Sequence, residues 1–294
     1  IKNISLPYKL VKSFYQVRKI VNAFQPDAAV GVGGYSSFPV LRYAQSKGIP
    51  TFIHESNSFA GKSNILLGKN ATEIFVASAG MEKFFPADKL LVTGNPVRKA
   101  IIQSAMARDE AIRFFGLDPN KTTVLVVGGS LGARSINEVV ASHVTDLLSL
   151  DLQMIWQTGK NGAEGYKERG KPFPNVWVDA FITEMDKAYA AADLVVSRAG
   201  AMSVAELCVA GKPVIFVPYP HAAEDHQTVN AKYLVNKEAA LLVKDEEVRV
   251  KLFSTIVQLA KDKQKQHELH ERISQLAVTN ADEVIATEIL KHLK

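Results

Sequence analysis

The chain of 294 residues is 47% hydrophobic and 22% charged. This length accommodates two domains of ordinary size, and the composition is that of a folded globular protein, which excludes a disordered chain. The net charge of +5 permits an anionic partner. Because no long block of Lys and Arg is present, we expect no nucleic-acid partner.

Membrane spans, disulfides and metal sites are not expected either. No apolar run approaches the ~18 residues that a spanning helix needs. The single cysteine, Cys208, excludes an intramolecular disulfide, and we expect it to be a buried thiol. No Cys/His spacing matches a metal site, so we expect no metal and no other cofactor.

The first predicted helix spans residues 6–24 and is basic and amphipathic. Its apolar side chains recur at helical spacing, and they are Leu10, Phe14, Val17 and Val21. One interpretation is a surface helix that packs on its own sheet. The other is a helix whose second apolar patch, formed by Leu6, Phe14 and Tyr15, touches an anionic membrane surface.

Short apolar runs then alternate with helical segments, which predicts parallel α/β sheets. A glycine-rich turn, Gly33-Gly34-Tyr35, follows strand 28–32 but lacks the G-x-G-x-x-G spacing of a dinucleotide fingerprint. Strand 51–53 ends in the polar string HESN at residues 54–57, which we interpret as site candidates, although His54 alone also fits a packed, neutral histidine. We expect a helix at 80–84, and we interpret TGNPVR at 93–98 as the linker between two domains.

A second sheet opens with the β-branched strand 122–127, which runs into the glycine-rich string GGSLGA at residues 128–133. Three glycines and Ser130 at a strand-to-helix junction allow backbone N–H groups and a hydroxyl to face phosphate oxygens. The G-K-[ST] of a P-loop is missing, so we expect no ATP or GTP hydrolysis.

Residues 193–230 predict a strand, a tight turn, a helix, a second strand and a polar loop. The helix begins at Ala201 directly after Gly200, so its first N–H groups suit a diphosphate. Glu206 on this helix is a candidate acceptor for the hydroxyls of a ribose. A solvated helix carboxylate explains Glu206 equally well.

Seven strings in their order and spacing resemble the MurG family of GT-B glycosyltransferases: GVGGYSSFP, HESNSFAGKSN, TGNPVR, GGSLGARSIN, DAFITEM, SRAGAMSVAE and HQTVNA. That family transfers N-acetylglucosamine (GlcNAc) from UDP-GlcNAc to lipid I, undecaprenyl-diphospho-N-acetylmuramoyl-pentapeptide, at the cytoplasmic face of the bacterial inner membrane. The product is lipid II of peptidoglycan.

The resemblance implies an α/β fold of GT-B type, with two doubly wound, Rossmann-like domains facing across a cleft. Residues 1–97 would belong to the acceptor- and membrane-facing domain, with helix 280–294 packing back on it. Residues 98–279 would form the UDP-GlcNAc domain.

The resemblance also implies a set of donor-binding residues. Ser130 and the helix start at Ala201, Met202 and Ser203 would meet the diphosphate. Glu206 would accept from the ribose hydroxyls.

The base and the sugar would meet other positions. Ile182 would pair its backbone with the uracil edge, unless it only plugs the core. Gln227, with His226, would hold the sugar hydroxyls. Asn57 and Arg98 match further donor-binding positions, and the turn at residues 33–35 faces the acceptor.

One family feature is missing, the G-G-T-G-G-H loop whose histidine is the usual catalytic candidate. We expect about 70 residues, two or more β-α units, to precede Ile1, with this histidine among them. The catalytic residue therefore stays unassigned. Two alternatives remain open, a UDP-GlcNAc 2-epimerase-like enzyme and a non-catalytic UDP-sugar-binding fragment.

Overall fold

The structure, a computed structural model, describes residues 6–293, without the side chains of residues 6, 7, 10 and 223. The chain divides into two compact units. Unit 1 comprises Ile1–Pro96 with Asn280–Lys294, and unit 2 comprises Val97–Thr279. In the described part of the chain, no helix combines the length and the apolar character that crossing a bilayer requires.

The helices and strands alternate along nearly the whole chain. Up to the end of unit 1 they are α1 (Leu6–Phe24), β1 (Ala29–Gly31), α2 (Ser37–Ser46), β2 (Thr51–Glu55), α3 (Lys62–Gly68), β3 (Glu73–Val76) and β4 (Leu90–Val92). Unit 2 contains α4 (Lys99–Ile102), α5 (Arg108–Phe114), β5 (Thr122–Val127), α6 (Arg134–Ser149), β6 (Leu152–Gln157), α7 (Ala163–Gly170), β7 (Val176–Asp179), α8 (Met185–Ala191), β8 (Leu194–Ser197), α9 (Ala201–Ala210), β9 (Val214–Phe216), α10 (His226–Val235), β10 (Leu241–Leu242), α11 (Val248–Lys261) and α12 (Lys263–Ser274). The last helix, α13 (Ala281–Lys291), belongs to unit 1.

The sheet of unit 1 is parallel, with the spatial order β1-β2-β3-β4. All five residues of β2 are buried, as expected for a strand covered on both faces. The segment after α13 packs on this sheet, since the rings of His292 and Phe52 lie 5.6 Å apart and His292 Nε2 lies 3.8 Å from Glu73 Oε2.

Helix α1 packs on unit 1 through part of the predicted stripe. Val17 and Val21 are buried. Phe14 is half-buried and meets Phe38 edge-on at 6.4 Å, so it belongs to the packed face and not to a second exposed patch. Tyr15 is 60% exposed, whereas the side chain of Leu6 lies outside the described residues.

The helix expected at residues 80–84 is wrong, because residues 82–84 form a turn. Gly80 has a φ of +83° and Pro86 follows soon after. Phe84 N and Phe85 N both donate to Met81 O, and Pro86 disfavours a helical conformation at Phe85, so the segment makes a single turn.

Unit 2 is a six-stranded parallel sheet with the order β10-β9-β8-β5-β6-β7. The chain starts at β5, winds outward through β6 and β7, and then returns to the other side of β5 with β8, β9 and β10. Helices cover both faces, and each face has its own hydrophobic core. The strand order therefore reverses between β5 and β8, and ligands of doubly wound sheets bind at the carboxyl ends of the strands at such a reversal.

Candidate functional site

The glycine-rich loop after β5 lies at the reversal point of the unit 2 sheet. Gly129 and Gly132 have φ of +83° and +87°, values that residues with a Cβ rarely adopt. A Cβ on Gly128 would lie 2.5 Å from the backbone nitrogen of Ala133, so the chain turns tightly into α6. Ser130 is exposed at the tip of this loop, as the predicted phosphate-facing position requires.

A second loop, residues 158–162, follows β6 and holds the first one in place. Gly132 and Gly159 approach so closely that a Cβ on either would overlap the backbone of the other loop. Lys160 N donates to Ser130 O at 3.1 Å and Asn161 N donates to Leu131 O at 3.2 Å. The conformation of the Ser130 loop thus depends on a backbone contact between two loops.

A buried side-chain network supports these loops from below. Asn137 Nδ2 donates to Thr158 O at 2.7 Å, and Trp156 Nε1 donates to Asn137 Oδ1 at 3.0 Å. Gln157 Nε2 donates to Gly129 O at 3.2 Å. The role of Asn137 was not predicted, because its only signal was its place inside the GGSLGARSIN string.

The start of α9 lies after the neighbouring strand β8. Gly200 is the N-cap residue and has no side chain that could cap the helix. The N-terminus of α9 therefore presents backbone N–H groups that no N-cap side chain covers. Ala201 and Ser203 are half-buried, and Met202 is 40% exposed. Because β5 and β8 are hydrogen-bonded neighbours, this helix start and the Ser130 loop emerge from the same sheet edge.

Glu206 is buried, so its interpretation as a solvated helix residue is wrong. Arg98 Nε donates to Glu206 Oε1 at 3.0 Å, and the hydroxyl of Tyr189 donates to Glu206 Oε2 at 3.1 Å. Burial and the neighbouring carboxylate raise the pKa of Tyr189 well above its ordinary value, so its hydroxyl stays a donor. The sequence analysis did not identify Tyr189.

Ile182 and Phe181 follow β7 in unit 2. The side chain of Ile182 is buried in the core, as the simpler interpretation expected, and its backbone nitrogen donates to Gln157 Oε1 at 3.3 Å. Phe181 is 55% exposed. The segment that follows β7 therefore combines a backbone fixed by a hydrogen bond, at Ile182, with an exposed aromatic ring, at Phe181.

An arginine that the sequence analysis did not assign, Arg198, ties the loop after β9 to the sheet. Its Nη1 donates to the carbonyls of Val217 and Pro218 at 3.0 and 3.1 Å and to Asp245 Oδ1 at 2.6 Å. Its Nη2 donates to Ser135 Oγ at 3.0 Å. Arg198 thus joins three segments that border the candidate site.

Two residues of the sugar-binding prediction, Gln227 and His226, begin helix α10. Gln227 Oε1 accepts from the backbone nitrogen of Tyr219 at 3.0 Å, which ties this helix start to the loop after β9. Both side chains are half-buried.

Glu55, the last residue of β2 in unit 1, organises the loop that follows this strand. Its Oε1 accepts from the backbone and side-chain nitrogens of Asn57 at 3.1 and 3.3 Å. Its Oε2 accepts from Gly61 N at 3.0 Å and from Asn64 Nδ2 at 2.8 Å. Glu55 is buried, so we interpret it as the group that fixes Asn57, and not as a group that meets a ligand.

His54 is a packed histidine. Its Nε2 lies 3.1 Å from Gly94 O, which can only accept, so Nε2 carries the proton. Its Nδ1 lies 3.2 Å from Ser56 Oγ. Burial lowers the pKa of His54, and the ring is neutral near pH 7.

The glycine turn of unit 1 has the backbone that its sequence predicts. Gly33 and Gly34 have φ of +92° and +79°. Ser37 Oγ donates to Gly34 O at 3.0 Å, and Tyr35 is 93% exposed. Over the part of the chain that the structure describes, no cluster of His, Cys, Asp and Glu is able to hold a metal ion.

A Rossmann-type sheet with a glycine loop and a helix start at its reversal point defines a nucleotide-binding α/β protein. Residues 123–285 match the glycosyltransferase family 28 C-terminal domain, and residues 1–76 match the N-terminal domain of the same family. The chain is 49% identical over 295 residues to the UDP-N-acetylglucosamine--N-acetylmuramyl-(pentapeptide) pyrophosphoryl-undecaprenol N-acetylglucosamine transferase of Bacteroides fragilis, covering 99% of this chain and 77% of the relative. The enzyme of the same name from Flavobacterium psychrophilum is 48% identical over 292 residues, covering 99% of this chain and 79% of the relative.

Solved structures agree with these relatives. The crystal structure of Acinetobacter baumannii MurG has a TM-score of 0.77 and 32% identity, covering 97% of this chain and 79% of that one. A UDP co-structure of S. aureus MnaA has a TM-score of 0.70 at 15% identity, covering 97% and 80%, and shows a shared fold alone. The chain belongs to the MurG family of glycosyltransferase family 28, and the predicted fold class of two parallel-sheet α/β domains is confirmed.

Proposed function

We propose that this chain transfers N-acetylglucosamine from UDP-GlcNAc to lipid I, forming lipid II of peptidoglycan. The observation that carries the proposal is that the Ser130 loop and the start of α9 follow the neighbouring parallel strands β5 and β8, at the reversal point of the unit 2 sheet. The names of relatives at up to 49% identity describe the same reaction. Homology and site chemistry therefore support one function.

In this proposal the diphosphate binds to Ser130 and to the start of α9 at Ala201, Met202 and Ser203. Backbone N–H groups at a helix start are fixed positive dipoles. They stabilise the negative charge that develops on the departing UDP without having to reorganise during the reaction.

The remaining donor contacts are those that the family resemblance assigns. Glu206 accepts from the ribose hydroxyls, the backbone of Ile182 meets the uracil edge, and Gln227 with His226 holds the sugar. Asn57 and Arg98 complete the donor set. Residues 33–35 face the acceptor.

Transfer with inversion at the anomeric carbon needs a base for the acceptor hydroxyl. We do not assign that base to His54, because its Nε2 already donates to Gly94 O and its Nδ1 faces Ser56. Neither a metal nor another cofactor is part of the proposed reaction.

The proposed location is the cytoplasmic face of the inner membrane, with peripheral attachment through α1. Large side chains on this helix are well exposed, and they are Tyr8, Val11, Tyr15, Ile20 and Phe24. Exposed basic residues lie among them, namely Lys9, Lys12, Arg18 and Lys19. Apolar and cationic side chains on one helix suit the surface of an anionic bilayer.

Calorimetric titration of the chain with UDP-GlcNAc, with GDP-mannose as the control, tests the donor site. We expect selective binding of the uridine sugar. An assay with a lipid I analogue then tests transfer. Formation of UDP-ManNAc without an acceptor would instead indicate an epimerase, and donor binding without either product would indicate a binding protein.

A further inference from the structure

Tyr189 is a buried polar group for which the proposed reaction gives no role. It lies on α8, is 4% exposed, and is packed into the core between the unit 2 sheet and its helices. Its hydroxyl meets a single carboxylate oxygen, Glu206 Oε2, at 3.1 Å. The same carboxylate is the proposed ribose acceptor.

We infer that Tyr189 is a positioning residue for donor binding, which holds the Glu206 carboxylate in the orientation that receives the two ribose hydroxyls. This inference rests on the proposed ribose-binding role of Glu206. Tyr189 lies outside the seven strings that carry the family resemblance.

The hydrogen-bonding capacity of the carboxylate supports this role. An ionised carboxylate has two oxygens and about four acceptor sites. Arg98 occupies one site on Oε1 and Tyr189 occupies one site on Oε2. About two sites remain, one on each oxygen, which is what a vicinal diol with two donating hydroxyls requires.

The two donors differ in how firmly they are held. The side chain of Arg98 is 52% exposed, so solvent competes for it and its position is adjustable. The ring of Tyr189 is fixed by the core around it, and its hydroxyl stays protonated because burial raises its pKa. The rigid partner of Glu206 is therefore the tyrosine.

The test compares two nucleotides on the same full chain by calorimetry, UDP and 2′,3′-dideoxy-UDP. The variant Tyr189→Phe keeps the ring and removes only the hydroxyl. We expect it to bind UDP about tenfold more weakly, the effect of losing one hydrogen bond to a charged group. Binding of dideoxy-UDP should change by less than about twofold, because that nucleotide has no diol for Glu206 to receive.

A matched control is Tyr233→Phe, since Tyr233 is a half-buried tyrosine packed against the same core. It should leave the affinities for both nucleotides unchanged. Adding Tyr189→Phe to a Glu206→Ala variant should cause no further loss, because the tyrosine acts through the carboxylate.

The outcomes separate this inference from the proposed function. Equal weakening of both nucleotides in Tyr189→Phe, or no weakening of UDP, would overturn the role of Tyr189. If the Glu206→Ala variant keeps the same ratio of affinities for UDP and dideoxy-UDP as the unaltered chain, the proposed ribose-binding role of Glu206 is itself wrong. If Glu206→Ala removes the distinction and Tyr189→Phe does not change it, only the positioning role is wrong.

Discussion

Replacing Gly132 by alanine tests whether the phosphate-facing loop depends on its contact with the loop after β6. The φ of Gly132 is +87°, and a left-handed backbone costs a residue with a Cβ about 1–2 kcal/mol. The new Cβ would also overlap Thr158 O, so one of the two loops must move. Forced displacement of packed atoms adds ~1–3 kcal/mol.

Gly129→Ala is the matched control. Its φ of +83° gives a similar backbone strain, but no atom beyond the adjacent residues lies within 4 Å of the added Cβ. We expect unit 2 of the Gly132 variant to be less stable than that of the Gly129 variant by the overlap alone, ~1–3 kcal/mol.

Urea unfolding followed by tryptophan fluorescence measures this difference within unit 2. The chain has 2 tryptophans, Trp156 and Trp177, and both belong to unit 2. Equal destabilisation by the two alanines would show that the loops do not depend on each other, and the reasoning from the close contact would be wrong.

Three further predictions concern single side chains. Because burial lowers the pKa of His54, the unfolded chain binds a proton there near pH 6.5 and the folded chain only at lower pH, so the stability of unit 1 should fall as the pH drops below 6.5. Hydrogen exchange of the β2 segment between about pH 5 and 7.5 measures this stability, and the variant His54→Gln should show a weaker pH dependence. Burial raises the pKa of Cys208 to about 12, so a thiol reagent at pH 8 should label it slowly in the native chain and rapidly in urea; fast native labelling would contradict its burial. Asp193 accepts from Arg108 at 2.8 and 2.7 Å and from Thr123 N at 2.7 Å, so Asp193→Asn should cost unit 2 about 1–2 kcal/mol in urea unfolding. An unchanged midpoint would show that the charge of Asp193 adds no net stability.

The alternation of apolar runs and helical segments was enough to predict the parallel α/β fold, because each pattern is local in sequence. Helix α9 begins at Ala201 as predicted, directly after Gly200. The segment 80–84 was predicted wrongly because the left-handed Gly80 and the nearby Pro86 confine it to a single turn. Local patterns predict which elements form, but not which of them share a surface.

The partners of the candidate residues could not be predicted for this reason. Tyr189 belongs to the short helix α8, and no periodicity connects it with Glu206, 17 positions further on. Arg198 looked like a turn residue, although its guanidinium joins three segments. Such contacts follow from the strand order, which places β8 beside β5, and the sequence alone does not state that order.

The pairing of Arg98 with Glu206 shows what this means for the site. The resemblance assigned both residues to the donor, 108 positions apart, and the structure joins them directly at 3.0 Å. A guanidinium has five N–H donors, and only the Nε of Arg98 is directed to Glu206 in this contact, so other donors remain for the proposed contact with UDP-GlcNAc. If Arg98 and Glu206 both bind the donor, as proposed, Arg98→Ala should weaken ribose recognition as well. A smaller difference between the affinities for UDP and 2′,3′-dideoxy-UDP, measured by calorimetry, would show this, and an unchanged difference would contradict it.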